Sequence, residues 1–274
     1  LKNYLGAKDV VVVNSCTAAL HLSLKALGVK EGDEVITTPF TFASTANTIV
    51  HCGAKPVFVD IKKDTLNIDT EKIKKAITSK TKAIIPVDYG GQACDIKAIE
   101  EIAKDKKLKV IEDAAHAIGS EYEGEKIGNF FDTTCFSFYA IKNMTTGDGG
   151  AIATNDNKIA EKLKTLRLHG ISKDAWKRYS EKGSWYYEIN EAGYKYNMGD
   201  IQAAMGIEQL KKLDKFIKIR RRYAQIYNEA FKDLVVDVPV EKENVKHSYH
   251  LYPILLKNYD RNKFIEEMRA LNIG

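Results

Sequence analysis

The chain has 274 residues, 44% hydrophobic and 29% charged, with a formal net charge of +5. That balance is ordinary for a soluble globular protein and allows roughly 70% of the unfolded surface to be buried, in one large or two unequal domains. No apolar run reaches the roughly 20 residues a helix needs to cross a bilayer, and the charge is too modest to call for a nucleic-acid partner.

Four cysteines, Cys16, Cys52, Cys94 and Cys135, lie far apart without a CxxC pair. Neither a zinc cage nor a disulfide framework is expected, which fits a reducing cytoplasm. The chain starts at Leu1 and stops after Arg269-Ala-Leu-Asn-Ile-Gly, so both ends are expected to be incomplete.

In chain order, Val10 to Val13 reads as a short buried strand. Asn14-Ser-Cys-Thr-Ala-Ala19 follows it and opens a helix, predicted over Ala18 to Leu27. Small residues with free N–H groups at a positive helix end suit a phosphate, although a Ser or Thr there also serves as a plain N-cap. Glu34 to Thr38, Pro56 to Ile61 and Ala83 to Val87 are further strands, alternating with helices over Phe42 to His51, Thr70 to Ile77 and Ile96 to Asp105. Val110 to Glu112 then ends at Asp113, on the edge where open α/β sheets bind ligands. That carboxylate is either a turn cap or the partner of a cationic ring nitrogen. Cys135 to Tyr139 and Gly150 to Thr154 complete seven strands, so the class is α/β with a mainly parallel sheet.

Between those last two strands, Lys142 is the single lysine between an apolar strand end and the glycine-rich Gly147-Asp-Gly-Gly150. A lysine held out of water becomes a neutral, nucleophilic amine, the form Schiff-base chemistry requires. The loop-rich stretch Ile171 to Tyr194 carries Trp176, Tyr179, Trp185, Tyr186 and Tyr187, which suit packing on a partner subunit or a wall of the substrate site. A long helix is predicted from Asp200 to Phe231, then strands at Val235 to Val240 and Tyr249 to Leu256 and a helix from Arg261 to Leu271. Lys211, Lys212, Lys215, Lys218, Arg220, Arg221 and Arg222 read as a solvated helix face. The expected division is a large domain over 1–200 and, over 201–274, a connecting helix with the start of a smaller one.

Seven ordered segments together resemble the DegT/StrS-type nucleotide-sugar aminotransferases, pyridoxal-phosphate (PLP) enzymes of fold type I. They are Asn14-Ser-Cys-Thr-Ala-Ala-Leu-His-Leu, Gly32-Asp-Glu-Val-Ile, Thr41-Phe-Ala-Ser-Thr-Ala-Asn, Gly53-Ala-Lys-Pro-Val-Phe-Val-Asp, Val110-Ile-Glu-Asp-Ala-Ala-His-Ala, Phe136-Ser-Phe-Tyr-Ala-Ile-Lys and Gly193-Tyr-Lys-Tyr-Asn-Met-Gly-Asp-Ile-Gln-Ala-Ala. The resemblance implies an α/β/α sandwich with a smaller α+β C-terminal domain only partly present. It makes Lys142 the lysine that carries the cofactor and moves the proton, and Asp113 the partner of the pyridine nitrogen. Thr17, the Ala18 backbone and Ser137 would hold the phosphate, with Phe42 stacked on the ring and His116 close to it. His116 stands where many relatives have glutamine, and a simply packed histidine remains an alternative.

Further expectations follow from the same resemblance. A homodimer with shared active sites is implied, the segment from Gly193 to Met198 reaching the partner subunit's phosphate through Lys195 or Asn197. The reaction implied is transamination of a nucleotide-linked 4-keto sugar with glutamate as donor and 2-oxoglutarate as product, and no metal is expected. His116, Tyr139-Ala-Ile-Lys and Lys195-Tyr-Asn look most like the branch that makes 4-amino-4-deoxy-arabinose. Family members that dehydrate the sugar replace the lysine by histidine, so Lys142 argues for transfer. A PLP-fold regulatory protein is the other alternative. A nicotinamide enzyme is disfavoured because no GxGxxG follows the first strand.

Overall fold

The computed structural model describes residues 1–171 and 188–274. A short helix, α1 (Lys2–Leu5), precedes an alternation of β1 (Asp9–Val13), α2 (Cys16–Ala26), β2 (Glu34–Thr37), α3 (Ala43–His51), β3 (Lys55–Phe58), α4 (Thr70–Ala76), β4 (Thr81–Ile84), α5 (Ile96–Lys106) and β5 (Lys109–Asp113). Two-residue strands β6 (Glu121–Tyr122) and β7 (Glu125–Lys126) form a hairpin before β8 (Thr133–Ser137), β9 (Gly150–Thr154) and α6 (Asn157–Leu166). The C-terminal part holds α7 (Asp200–Leu210), α8 (Leu213–Phe231), β10 (Val236–Asp237), β11 (Val245–Lys246), β12 (Leu255–Leu256) and α9 (Arg261–Ala270).

The main sheet runs β1-β9-β8-β5-β4-β2-β3. Only β9 is antiparallel to its neighbours, pairing Val12 with Ala151 on one side and Phe136 with Ala151 on the other. Alternate residues of the inner strands face two cores. Ile111, Ile85 and Cys135 pack with α2, α3 and α6, whereas Val110, Ile84 and Phe136 pack with α4, α5 and the start of α8. Helices on both faces explain why β8 and β9 are buried at every position, a pattern of continuous apolar runs rather than alternation.

All seven predicted main-sheet strands are present, Gly150 to Thr154 with the expected bounds and the other six with shifted ends. Pairing after β4 resumes as a lone bridge between Val87 and Asp113, so the predicted Ala83 to Val87 strand is interrupted. The single helix predicted from Asp200 to Phe231 is two. Helix α7 has no buried residue, whereas α8 buries Leu213, Ile217 and Ala224. Turning that stripe into the core requires a break, which falls at Lys211 and Lys212. The Tyr249 to Leu256 strand shrinks to Leu255–Leu256, because Tyr249 adopts a left-handed φ of 46° that no strand accommodates. Helix α6 and the β6–β7 hairpin, which pairs with β11, were not anticipated. Trp176, Tyr179, Trp185, Tyr186 and Tyr187 lie outside the described residues.

Candidate active site

The carboxyl ends of β1, β5 and β8 open onto a cavity of about 340 Å³. One wall is the first turn of α2. Ser15 takes the N-cap position and its hydroxyl accepts from Ala18 N–H at 3.1 Å. The N–H groups of Cys16 and Thr17 have no intrahelical acceptor, as at any helix start, and the helix dipole makes them attractive to an anion. Gly150 at the start of β9 lies against this turn. A Cβ there would come within 2.6 Å of the Ser15 carbonyl carbon and 2.7 Å of Cys16 N.

Asp113 forms the floor. It is 4% exposed, and its two oxygens are each used once, Oδ2 accepting from Thr45 Oγ1 at 2.7 Å and Oδ1 from Ala115 N–H at 3.2 Å. Burial pushes its pKa up, while the Thr45 hydroxyl, the Ala115 amide and Lys142 pull the other way. A cationic ring nitrogen would give this carboxylate the charged partner it needs. His116 stands beside it. Its Nδ1 accepts from Gly90 N–H at 3.3 Å, so Nε2 carries the proton if the ring is neutral. Burial, with a smaller contribution from Lys142, holds its pKa down to about 3, so the ring is neutral at physiological pH.

Lys142 lies in the loop between β8 and β9, which is anchored by buried Asn143 and Met144 and tied by Lys142 N–H to Tyr139 O at 2.9 Å. The side chain reaches the same cavity as Asp113 and forms no salt bridge among the described residues. Desolvation lowers its pKa, only partly offset by Asp113 and Cys16. A half-buried amine of lowered basicity is what condensation with an aldehyde and later proton transfer both require.

Behind His116 and Lys142 runs a strap, His247 to Leu251, held by two backbone bonds, Ser248 N–H to Gly91 O at 3.2 Å and Leu251 N–H to Gly90 O at 3.1 Å, and by side chains. Ser248 O accepts from Asn143 Nδ2 at 3.4 Å, and Ser248 Oγ donates to His116 O at 3.3 Å. Arg220 Nη1 donates to Tyr249 O and His250 O, both at 3.2 Å, and Arg221 Nη1 to His247 O at 2.9 Å while it pairs with Glu241. These two arginines correct the reading of the basic stretch as a uniformly solvated face: Lys211, Lys212, Lys215, Lys218 and Arg222 are exposed, but Arg220 and Arg221 are half-buried structural donors. The His250 ring lies 4.5 Å from that of His116.

Thr17, Phe42, Asp113, His116, Ser137 and Lys142 thus line one cavity. Phe42 is 76% exposed at its mouth, with Tyr139 at 52% and Ile141 at 65%. Ala18 does not line it, its N–H being engaged by Ser15. Lys195 and Asn197 lie outside the cavity of their own chain, in a segment that bridges to Leu168 and Val13 respectively. Thr45 was missed as a functional residue, although it stands within the Thr41-Phe-Ala-Ser-Thr motif. A threonine one turn into a helix beside a ligand edge was the available signal.

The residues present fit PLP: a helix end for its phosphate, a buried acceptor for its ring nitrogen and a desolvated amine for its aldehyde. An α/β/α sandwich that brings a lysine and a buried aspartate to one cavity at this sheet edge has the arrangement of a PLP-dependent enzyme of fold type I. The chain belongs to the DegT/DnrJ/EryC1/StrS aminotransferase family, whose sequence model matches residues 1–274.

Among curated proteins it is 60% identical to MJ1066 of Methanocaldococcus jannaschii over 278 residues, covering all of this chain and 72% of that protein. It is 53% identical to the spore coat polysaccharide biosynthesis protein SpsC of Bacillus subtilis over 250 residues, covering 91% of this chain and 64% of that one. The PMP-form of Spr1654 from Streptococcus pneumoniae superimposes with a TM-score of 0.94 at 34% identity, over 100% of this chain and 74% of that one, and its PLP-form with 0.92 at 33%, over the same shares. PseC of Helicobacter pylori, an aminotransferase involved in the biosynthesis of pseudoaminic acid, gives 0.90 at 37% identity, over 98% and 72%.

Proposed function

We propose that the protein transfers the amino group of glutamate to a nucleotide-linked 4-keto sugar, in the making of a cell-surface polysaccharide, lipid A or another amino sugar. The observation that carries this reading is the convergence of Lys142 and Asp113 on one cavity. Bound PLP supplies an electron sink. Asp113 accepts a charge-assisted hydrogen bond from its ring nitrogen, a contact worth roughly 1.5 to 3 kcal/mol, which keeps that nitrogen protonated. Thr17, the first turn of α2 and the Ser137 hydroxyl hold the phosphate, and Phe42 covers one ring face. Lys142 holds the cofactor and then moves a proton to or from the substrate carbon, in a ping-pong cycle where glutamate leaves as 2-oxoglutarate before the sugar is aminated.

Support for the sugar class comes from SpsC and PseC, and support for the 4-amino-4-deoxy-arabinose branch from His116, Tyr139-Ala-Ile-Lys and Lys195-Tyr-Asn. We place the cofactor domain at residues 1–200 and a connecting region leading into a smaller domain at 201–274. The enzyme is a homodimer of the cytoplasm, a location suited to its four free cysteines. Lys195 or Asn197 of each subunit reaches the phosphate of the other, and the exposed Phe42, Tyr139 and Ile141 form the rim that the partner covers.

Purified protein reconstituted with PLP should be yellow, lose that colour with glutamate and become inactive as Lys142→Ala. A well-folded protein that stays colourless overturns the proposal. Sugar choice is read by supplying UDP- and dTDP-linked 4-keto sugars with glutamate. The shared site is tested by mixing Lys142→Ala subunits with subunits carrying Lys195→Ala and Asn197→Ala. Activity returns if each active site draws on both chains.

A further inference from the structure

Beneath Asp113, on the opposite face of β5, lies a second pair of acids that this chemistry does not use. Asp88 follows β4 and Glu112 immediately precedes Asp113, and both are fully buried. Each has one satisfied oxygen. Asp88 Oδ1 accepts from Cys94 N–H at 2.9 Å, and Glu112 Oε2 from Thr134 Oγ1 at 2.8 Å. The other two oxygens, Asp88 Oδ2 and Glu112 Oε1, are buried and have no donor. The two side chains are within hydrogen-bonding reach of each other.

Two ionised carboxylates in contact, out of water and without a cation, are not a stable arrangement. The groups acting most strongly on the pair are each other, Cys94, Thr134 and Asp113, none of them a cation. A hydrogen between Asp88 Oδ2 and Glu112 Oε1 satisfies both orphan atoms at once. The backbone carries the pair's position to the active site: Asp88 N–H donates to Asp113 O at 3.1 Å, and Asp113 N–H to Pro86 O at 2.9 Å.

We infer that Asp88 and Glu112 hold a shared proton and act together as positioning residues for Asp113, fixing its strand end and leaving one negative charge behind it. This rests on the reading of Asp113 as the acceptor for the cofactor's ring nitrogen. Burial raises both acids, Asp88 to about 7 and Glu112 well above the ordinary carboxylate range, so the pair keeps a proton through neutral pH. One net charge on the pair, added to that of Asp113, favours protonated forms of a cofactor bound above.

The single amide variants Asp88→Asn and Glu112→Gln separate the possibilities, because each keeps one negative charge and one hydrogen bond across the pair while removing the shared acidic proton. In infrared spectra at mildly alkaline pH, the wild type should show the carbonyl stretch of a protonated carboxylic acid, sensitive to deuterium. Both single variants should lack it, and Asp113→Asn should retain it. A wild type without that band, as for two ionised groups bridged by water, overturns the shared proton. A band that survives both single variants overturns it as well.

The positioning role is read from the pH midpoint of the bound cofactor's visible absorbance. The single variants should keep the wild-type midpoint. The double variant, which removes the negative charge, should lower it by on the order of one unit. An unchanged midpoint in a folded double variant overturns the role. A wild type that binds no PLP overturns both this role and the cofactor reading, while the infrared band still decides the proton.

Discussion

Asp113 can act as a fixed acceptor because its carboxylate is held from two sides within its own chain. The Thr45 hydroxyl on α3 and the Ala115 amide each donate to one oxygen, which leaves the remaining lone pairs directed toward the cavity. Replacing Thr45 by valine keeps the shape and removes one donor. It should lower PLP affinity about tenfold, measured by fluorescence titration of the apoprotein, and should raise the pKa of Asp113 further. Asp113 and Lys142 were legible in the sequence because one ends an apolar strand and the other is the single lysine between an apolar strand and a glycine-rich loop. Thr45 and Glu112 were not. A threonine in a helix and an acid in a strand take on a role only when another element places a partner against them.

Among the elements, the meeting of α2 with β9 is the most constrained. Gly150 has no room for a side chain against Ser15 and Cys16, so Gly150→Ala should push the first turn of α2 away and cost roughly 1 to 3 kcal/mol, with loss of phosphate affinity. Thermal melts with and without inorganic phosphate would show both effects. At α6, Asp156 Oδ1 accepts from Lys158 N–H at 2.7 Å and Ile159 N–H at 3.3 Å, and Asp156→Ala should destabilise the protein by about 1 kcal/mol without changing cofactor absorbance. That cap, with Ile159, Leu163 and Leu166 at helical spacing, could have announced α6. The seven main-sheet strands were readable because buried parallel strands are short apolar runs, but their order in the sheet was not. The break between α7 and α8 was not, since both halves have apolar residues at helical spacing and only the tertiary structure decides which stripe is covered.

At the scale of the whole molecule, the strap makes stability depend on acid. His247 and His250 are 2% and 7% exposed, and burial holds their pKa values down to about 3 and about 2. An unfolded chain protonates them near 6.5, so their contribution is complete above that pH and is lost as pH falls toward the folded values. Between about pH 6 and pH 4 the two should remove up to about 3 kcal/mol of stability per pH unit, seen as a falling urea midpoint. A double His247→Gln, His250→Gln variant should flatten that slope.

The strap also fixes when the site can exist. Every strand of the main sheet is complete by Thr154, yet the surface behind His116 and Lys142 is supplied by His247 to Leu251 through contacts spanning more than a hundred residues of chain. A nascent polypeptide emerging N-terminus first therefore displays a sheet with an open back until His247 to Leu251 have left the ribosome. Capture of the cofactor therefore waits for that strap, well after the sheet that carries Asp113 and Lys142 has been made.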